Sequence, residues 1–134
     1  MIKWGMILAF LGTAFKSDIV IDNGAKIVTI CFKLKHDRNQ HVYIKLLTES
    51  GGSGKEWIRV YSPIGNLDAI QLVKVAEMSD SSIGSGIIKI GSLTYLSSVM
   101  QMSSLNLPDL VAYIKNIAVE ADNLESQVSF TDEY

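Results

Sequence analysis

Cysteine occurs once in the 134 residues, at Cys31, so no internal disulfide can form and nothing demands an oxidising compartment. Proline occurs twice and glycine ten times, which excludes collagen-like and proline-rich disordered classes. Surplus charge is also lacking. Twelve basic residues stand against fourteen acidic ones, for a net charge of -2 and an isoelectric point near 5.6. A general electrostatic grip on nucleic acid or on an anionic membrane needs excess positive charge, so neither partner is expected. An apolar run of about 20 residues, the length that crosses a bilayer, is missing, and no stable membrane insertion is expected. What is present is 48% hydrophobic residues in 14.7 kDa, with a mean hydropathy of +0.24. That suffices for one core in one domain, residues 1–134.

Met1 to Phe15 admits two readings. Trp4, Ile7, Leu8, Leu11 and Phe15 fall on one stripe at helical spacing, which predicts a buried amphipathic helix. Alternatively, Lys3, the apolar stretch Trp4 to Leu11 and the small residues Gly12-Thr13-Ala14 form a thin export signal. The helix is preferred, and with it a cytoplasmic location; export follows only if residues 1–14 are a signal segment.

Asp22-Asn23-Gly24 marks a turn. From Lys26 to Lys35, Val28, Ile30, Phe32 and Leu34 alternate with Thr29, Cys31, Lys33 and Lys35, the period of a half-buried strand. A second strand, His41 to Thr48, puts Val42, Ile44 and Leu46 on one face. A third, Glu56 to Ser62, places Ile58 and Val60 inward. Short links make these three an antiparallel meander. Asn66 or Asp68 caps a middle helix reaching about Ser79, with Ala69, Leu72, Val73 and Ala76 as its core stripe and Ile70 at the edge. Ile87 to Ile90 and Leu93 to Met100 form a hairpin across Gly91-Ser92. Asn106, Pro108 and Asp109 then open a long closing helix, and residues 129–134 form a frayed acidic tail. The fold class is α+β, a five-stranded antiparallel sheet in the order α-β-β-β-α-β-β-α.

No residue set declares a reaction. Gly51-Gly52-Ser53-Gly54-Lys55 is followed by Glu56 and a strand, where a phosphate loop needs Ser or Thr and a helix. His36 and His41, with Asp37 between them, supply too few ligands for a metal, and Cys31 lies several residues away. Ser62 precedes Pro63 without a helical elbow, and Glu120 and Asp122 are expected on the exposed side of the closing helix. No metal or cofactor is expected. One surface remains: Lys33, Lys35, Tyr43, Lys45, Trp57, Arg59 and Tyr61 share the outward alternation of three strands. Such a face can stack single-stranded bases, but the acidic balance favours cover by another helix or subunit.

Arg38-Asn39-Gln40-His41-Val42-Tyr43-Ile44, Trp57 through Gly65, and Leu107-Pro108-Asp109-Leu110 with the Ala121-Asp122-Asn123-Leu124-Glu125 run carry a resemblance. Over roughly residues 20 to 132 the chain resembles the YbjN and type III secretion chaperone-like families of small bacterial domains. It departs from them at Glu77 to Ser82 and in its short apolar first helix. The resemblance implies a homodimer that binds other protein chains, without enzymatic activity or cofactor. Leu67, Val75 and Met78 fall outside the middle helix's core stripe and are the expected dimer contacts, with Tyr43, Trp57, Tyr61 and Leu96 as sheet candidates. The rival from another class is a small enzyme or ligand binder using His36, His41 and the adjoining sheet face.

Overall fold

The computed structural model describes residues 2–34, 38–79 and 86–132, with side chains for all of these except 79 and 129–132. The described elements are α1 (Trp4–Phe15), β1 (Ile19–Asp22), β2 (Ile27–Lys33), β3 (Asn39–Thr48), β4 (Glu56–Gly65), α2 (Ala69–Ser79), β5 (Gly86–Ile90), β6 (Leu93–Gln101) and α3 (Leu107–Asp132). The strands form one antiparallel sheet in the order β1-β2-β3-β4-β6-β5. The α+β class stands, with six strands rather than five. The extra strand is β1, whose Ile19-Val20-Ile21 shows no alternation to mark it. It pairs with β2 through the Asp22 turn, where the Asp22 carboxylate accepts the Ala25 N–H at 3.1 Å.

Alternation decides which sheet face is dry. Val28, Ile30, Val42, Ile44, Ile58, Val60 and Leu96 are fully buried, and they pack in one cluster with the helices. From α1 come Trp4, Ile7, Leu11 and Phe15; from α3 come Leu110, Ile114, Ile117, Ala118, Ala121, Leu124 and Val128. The Phe15 and Phe32 rings meet edge to face, centroids 5.6 Å apart. The first helix is therefore a core element, as its stripe predicts. No helix among the described residues is long and apolar enough to cross a membrane.

The middle helix reverses the expected phase. Val75, taken from the sequence as an interface residue, is fully buried in the core, and Leu67 and Met78 pack half-buried against it. Val73, assigned to the core stripe, is 58% exposed, and Ile70 is 71% exposed. The cause lies in composition: α2 is apolar along two stripes, so spacing alone cannot choose between them. Its start is fixed by Asp68, which accepts the Gln71 N–H at 2.8 Å while Gln71 Oε1 accepts the Asp68 N–H at 2.9 Å. Leu96 is likewise core rather than interface, at 0% exposure.

Pro63 sits in the central strand β4, where its missing N–H must be accommodated. It does so at a register shift against β6 between Pro63 and Gly65, and Gly65 takes a φ of +143° that favours glycine. Backbone pairing between β3 and β4 runs as far as Tyr43 and Tyr61. Beyond it, side chains join the strands: Gln40 Nε2 donates to Ser62 Oγ (2.7 Å) and to the Pro63 carbonyl (2.8 Å), and Ser62 Oγ donates to the His41 carbonyl (2.6 Å). Gln40 and Ser62 are buried, so these bonds satisfy groups that water cannot reach.

Because α1 supplies core side chains, Leu11→Ala is expected to lower stability by about 2–5 kcal/mol in urea unfolding. Met6→Ala, on the exposed side of the same helix, should change it by less than about 0.5 kcal/mol. Equal effects would show that α1 does not pack as described.

Candidate binding face on the open side of the sheet

Strand residues that alternate with the core set point away from the helices, and no helix among the described residues covers them. The register lays them out in rows. Thr29, Tyr43, Tyr61 and Ser97 form one row; Ile27, Lys45, Arg59 and Val99 the next; Leu47, Trp57 and Gln101 a third. Tyr95 lies beyond Pro63, with Ile88 opposite it on β5. Val20, Ile90, Leu93 and Val99 stand on this face as exposed apolar side chains.

Three tyrosines form its centre. Tyr43 and Tyr61 stack with tilted rings 5.2 Å apart, Tyr95 meets Tyr61 edge-on at 5.3 Å, and Tyr95 meets Tyr43 at 6.4 Å. Tyr61 is left 8% exposed on the uncovered face, shielded by its neighbours' rings. Burial pushes the Tyr43 and Tyr61 phenols above their ordinary value of 10.0, with Tyr95 adding to the rise.

The Trp57 end is built differently. Trp57 Nε1 donates to Glu49 Oε1 at 2.9 Å, and Ser53 Oγ donates to Glu49 Oε2 at 2.7 Å. Those bonds hold the Glu49 carboxyl below its usual range. The glycine-rich segment 51–54 is thus a hairpin connection whose Ser53 tethers a carboxylate, in line with the rejection of a phosphate loop. From Trp57, Val99 and Gln101 a groove of about 480 Å³ runs round the sheet end to Asp109 and Tyr113 on α3.

Tyr43, Trp57 and Tyr61 lie on one face as the alternation predicts, beside Lys33, Lys45 and Arg59. Lys35, His36 and Asp37 lie outside the described residues. His41 is exposed on the same face and sits opposite half-buried Cys31, closer than the turn-based estimate put it. Among the described residues no three His, Cys, Asp or Glu side chains gather as a metal site. Ser62 Oγ is engaged on both sides by Gln40 and His41, which leaves it no proton to lose to a base.

Asp122 is not on the solvated side of α3. It is 7% exposed and pairs with Arg38 at 2.9 Å, while Arg38 also donates to Ser126 at 3.0 Å. The arginine directly precedes β3 and reaches over the helix, a contact between residues 84 positions apart that local spacing does not encode. Tyr95 and Val99 are the other residues that sequence spacing left out. Their alternation with Thr94, Leu96 and Ser98 was the available signal.

Neither a protein-family model nor a curated protein matches this sequence.

The raised phenols make stability pH-dependent in a definite sense. The folded chain holds its Tyr43 and Tyr61 protons more tightly than the unfolded chain, so stability should fall as pH rises above about 10. Urea midpoints followed through that range, with phenolate absorbance recorded in parallel, check it. The Tyr43→Phe/Tyr61→Phe double variant should lose most of the slope.

Proposed function

We propose that the chain is a non-enzymatic protein-binding domain of the kind that the YbjN and secretion chaperone-like resemblance implies, with the open sheet face as its binding surface. One observation carries the reading. The helices all pack on one side, and the other side presents Tyr43, Trp57, Tyr95 and exposed Val99 as aromatic and apolar groups bordering the Lys45–Arg59 row. Such patches on soluble domains mark contacts with other proteins. The rings of the tyrosine cluster stack on one another, which disfavours their use as separate platforms for bases. Among the described residues, His41 faces Cys31 on its register.

A second copy is the expected further partner, through α2. Ile70 and Val73 expose an apolar stripe that the sheet does not use, and a twin subunit would cover it. Light scattering should give twice 14.7 kDa, and Val73→Asp should return the mass to 14.7 kDa without loss of helical signal. A single-chain mass for the parent protein would remove the dimer.

Binding itself is tested by capture from native lysate with three versions of the chain. Proteins held by the parent should be lost on Val99→Glu and retained on Lys89→Glu, a charge reversal on an exposed edge residue. Capture that ignores Val99→Glu would remove the sheet face from the proposal.

A further inference from the structure

The middle row of the open face contains an electrostatic oddity. Lys45 and Arg59 occupy directly opposed positions on β3 and β4, and both are half-buried. Like charges facing each other across a ladder oppose pairing, and partial burial strengthens the repulsion. Neither cation has an ion pair among the described residues, where Arg38 with Asp122 is the pair formed. The nearest rows offer no relief. Tyr43 and Tyr61 flank the two cations on one side, Leu47 and Trp57 on the other, and Val99 and Ile27 at the ends. Glu49 is at the Trp57 end, with one oxygen held by Trp57 and the other by Ser53.

A second feature points the same way. Arg59 Nε is buried and has no hydrogen-bond partner among the described residues. A charged donor left unsatisfied costs more than a neutral one. A carboxylate lying between the two side chains would neutralise both cations at once.

Resting on the protein-binding reading above, we infer that Lys45 and Arg59 form a carboxylate site for an extended acidic segment of a partner protein. The segment lies along the strands with its acidic side chain between them. Rows on the face are two residues apart, about 6.6 Å, which is also the separation of side chains i and i+2 in an extended chain. An Asp or Glu over Lys45 and Arg59 therefore places one apolar side chain against Tyr43 and Tyr61 and another against Leu47 and Trp57. The recognised pattern is apolar-x-acidic-x-apolar.

Charge argues against the other occupants. Two copies packed by this face would bring Lys33, Lys45 and Arg59 of each into one interface, with Glu49 already engaged. A single strand of nucleic acid would bring a phosphate at every nucleotide to a chain of net charge -2.

The test is selection from a display library of random linear peptides on the full chain, followed by affinity measurements on the enriched peptides. Enriched peptides should carry Asp or Glu two residues from apolar neighbours on both sides. Changing that acid to its amide in the peptide should weaken binding about tenfold or more. Arg59→Gln and, separately, Lys45→Gln should do the same, with unchanged circular dichroism, and the amide peptide should bind the Arg59→Gln chain no worse than the acidic one. Peptides that bind, are lost on Val99→Glu and show no acidic preference would overturn the inference and leave the protein-binding face standing. No enrichment, or enriched peptides indifferent to Val99→Glu, would overturn both. Binding of an oligothymidylate that depends on Lys45 and Arg59, without any peptide preference, would overturn the choice of a protein as occupant.

Discussion

A sheet of six strands has two faces to keep from water, and the helices of this chain all go to one of them. That allocation governs the rest of the structure. α3 lies across β3, β4 and β6, α1 packs beside it over the β1 and β2 side, and α2 fills in towards β5. The faces are chosen by alternation: Val28, Ile30, Val42, Ile44, Ile58 and Val60 can be dry only if Tyr43, Lys45, Trp57 and Arg59 are not covered by the same helices. The uncovered side then shields itself as far as local geometry permits. Tyr43 on β3 and Tyr95 on β6 close over Tyr61, and Trp57 leans on a carboxylate supplied by its own hairpin loop.

Much of this was legible in the sequence because the deciding patterns are short. Strand alternation needs only neighbouring residues, and the stripes of α1 and α3 are long enough to have one solution. Three things were not legible, each for a physical reason. β1 is too brief and too uniformly apolar to show a period. α2 has two stripes, and local spacing does not choose between them. The burial of Asp122 depends on Arg38, and the burial of Gln40 on Ser62, pairings between distant positions. The candidate face divides along the same line. Tyr43, Trp57 and Tyr61 were found by alternation within consecutive strands, whereas Tyr95 and Val99 joined them only through the β4–β6 pairing that crosses over α2.

Buried polar groups in this core serve geometry more than strength. Gln40 and Ser62 take over where the backbone ladder between β3 and β4 stops, at the one central position where proline removes a donor. A hydrogen bond of this kind contributes about 1 kcal/mol net, but leaving its partner unsatisfied costs more than that. The arrangement therefore fixes register, because a slip of β3 by one residue would carry Gln40 to the open face and strand Ser62. The open face inherits that register: Lys45 stands opposite Arg59 and Tyr43 opposite Tyr61 only in the pairing that Gln40 holds.

The strand order has a kinetic consequence. Every neighbouring pair in β1-β2-β3-β4-β6-β5 joins strands consecutive in the chain except β4 with β6. Most of the sheet can thus zip from hairpins whose closure entropy is small, and a single crossover carries the longer loop. The helical layer is the reverse case, since α1 and α3 come from opposite ends of the sequence and meet over the finished sheet. Their docking is the step of greatest sequence separation, so a chain emerging from the ribosome exposes its inner sheet face until α3 has been made.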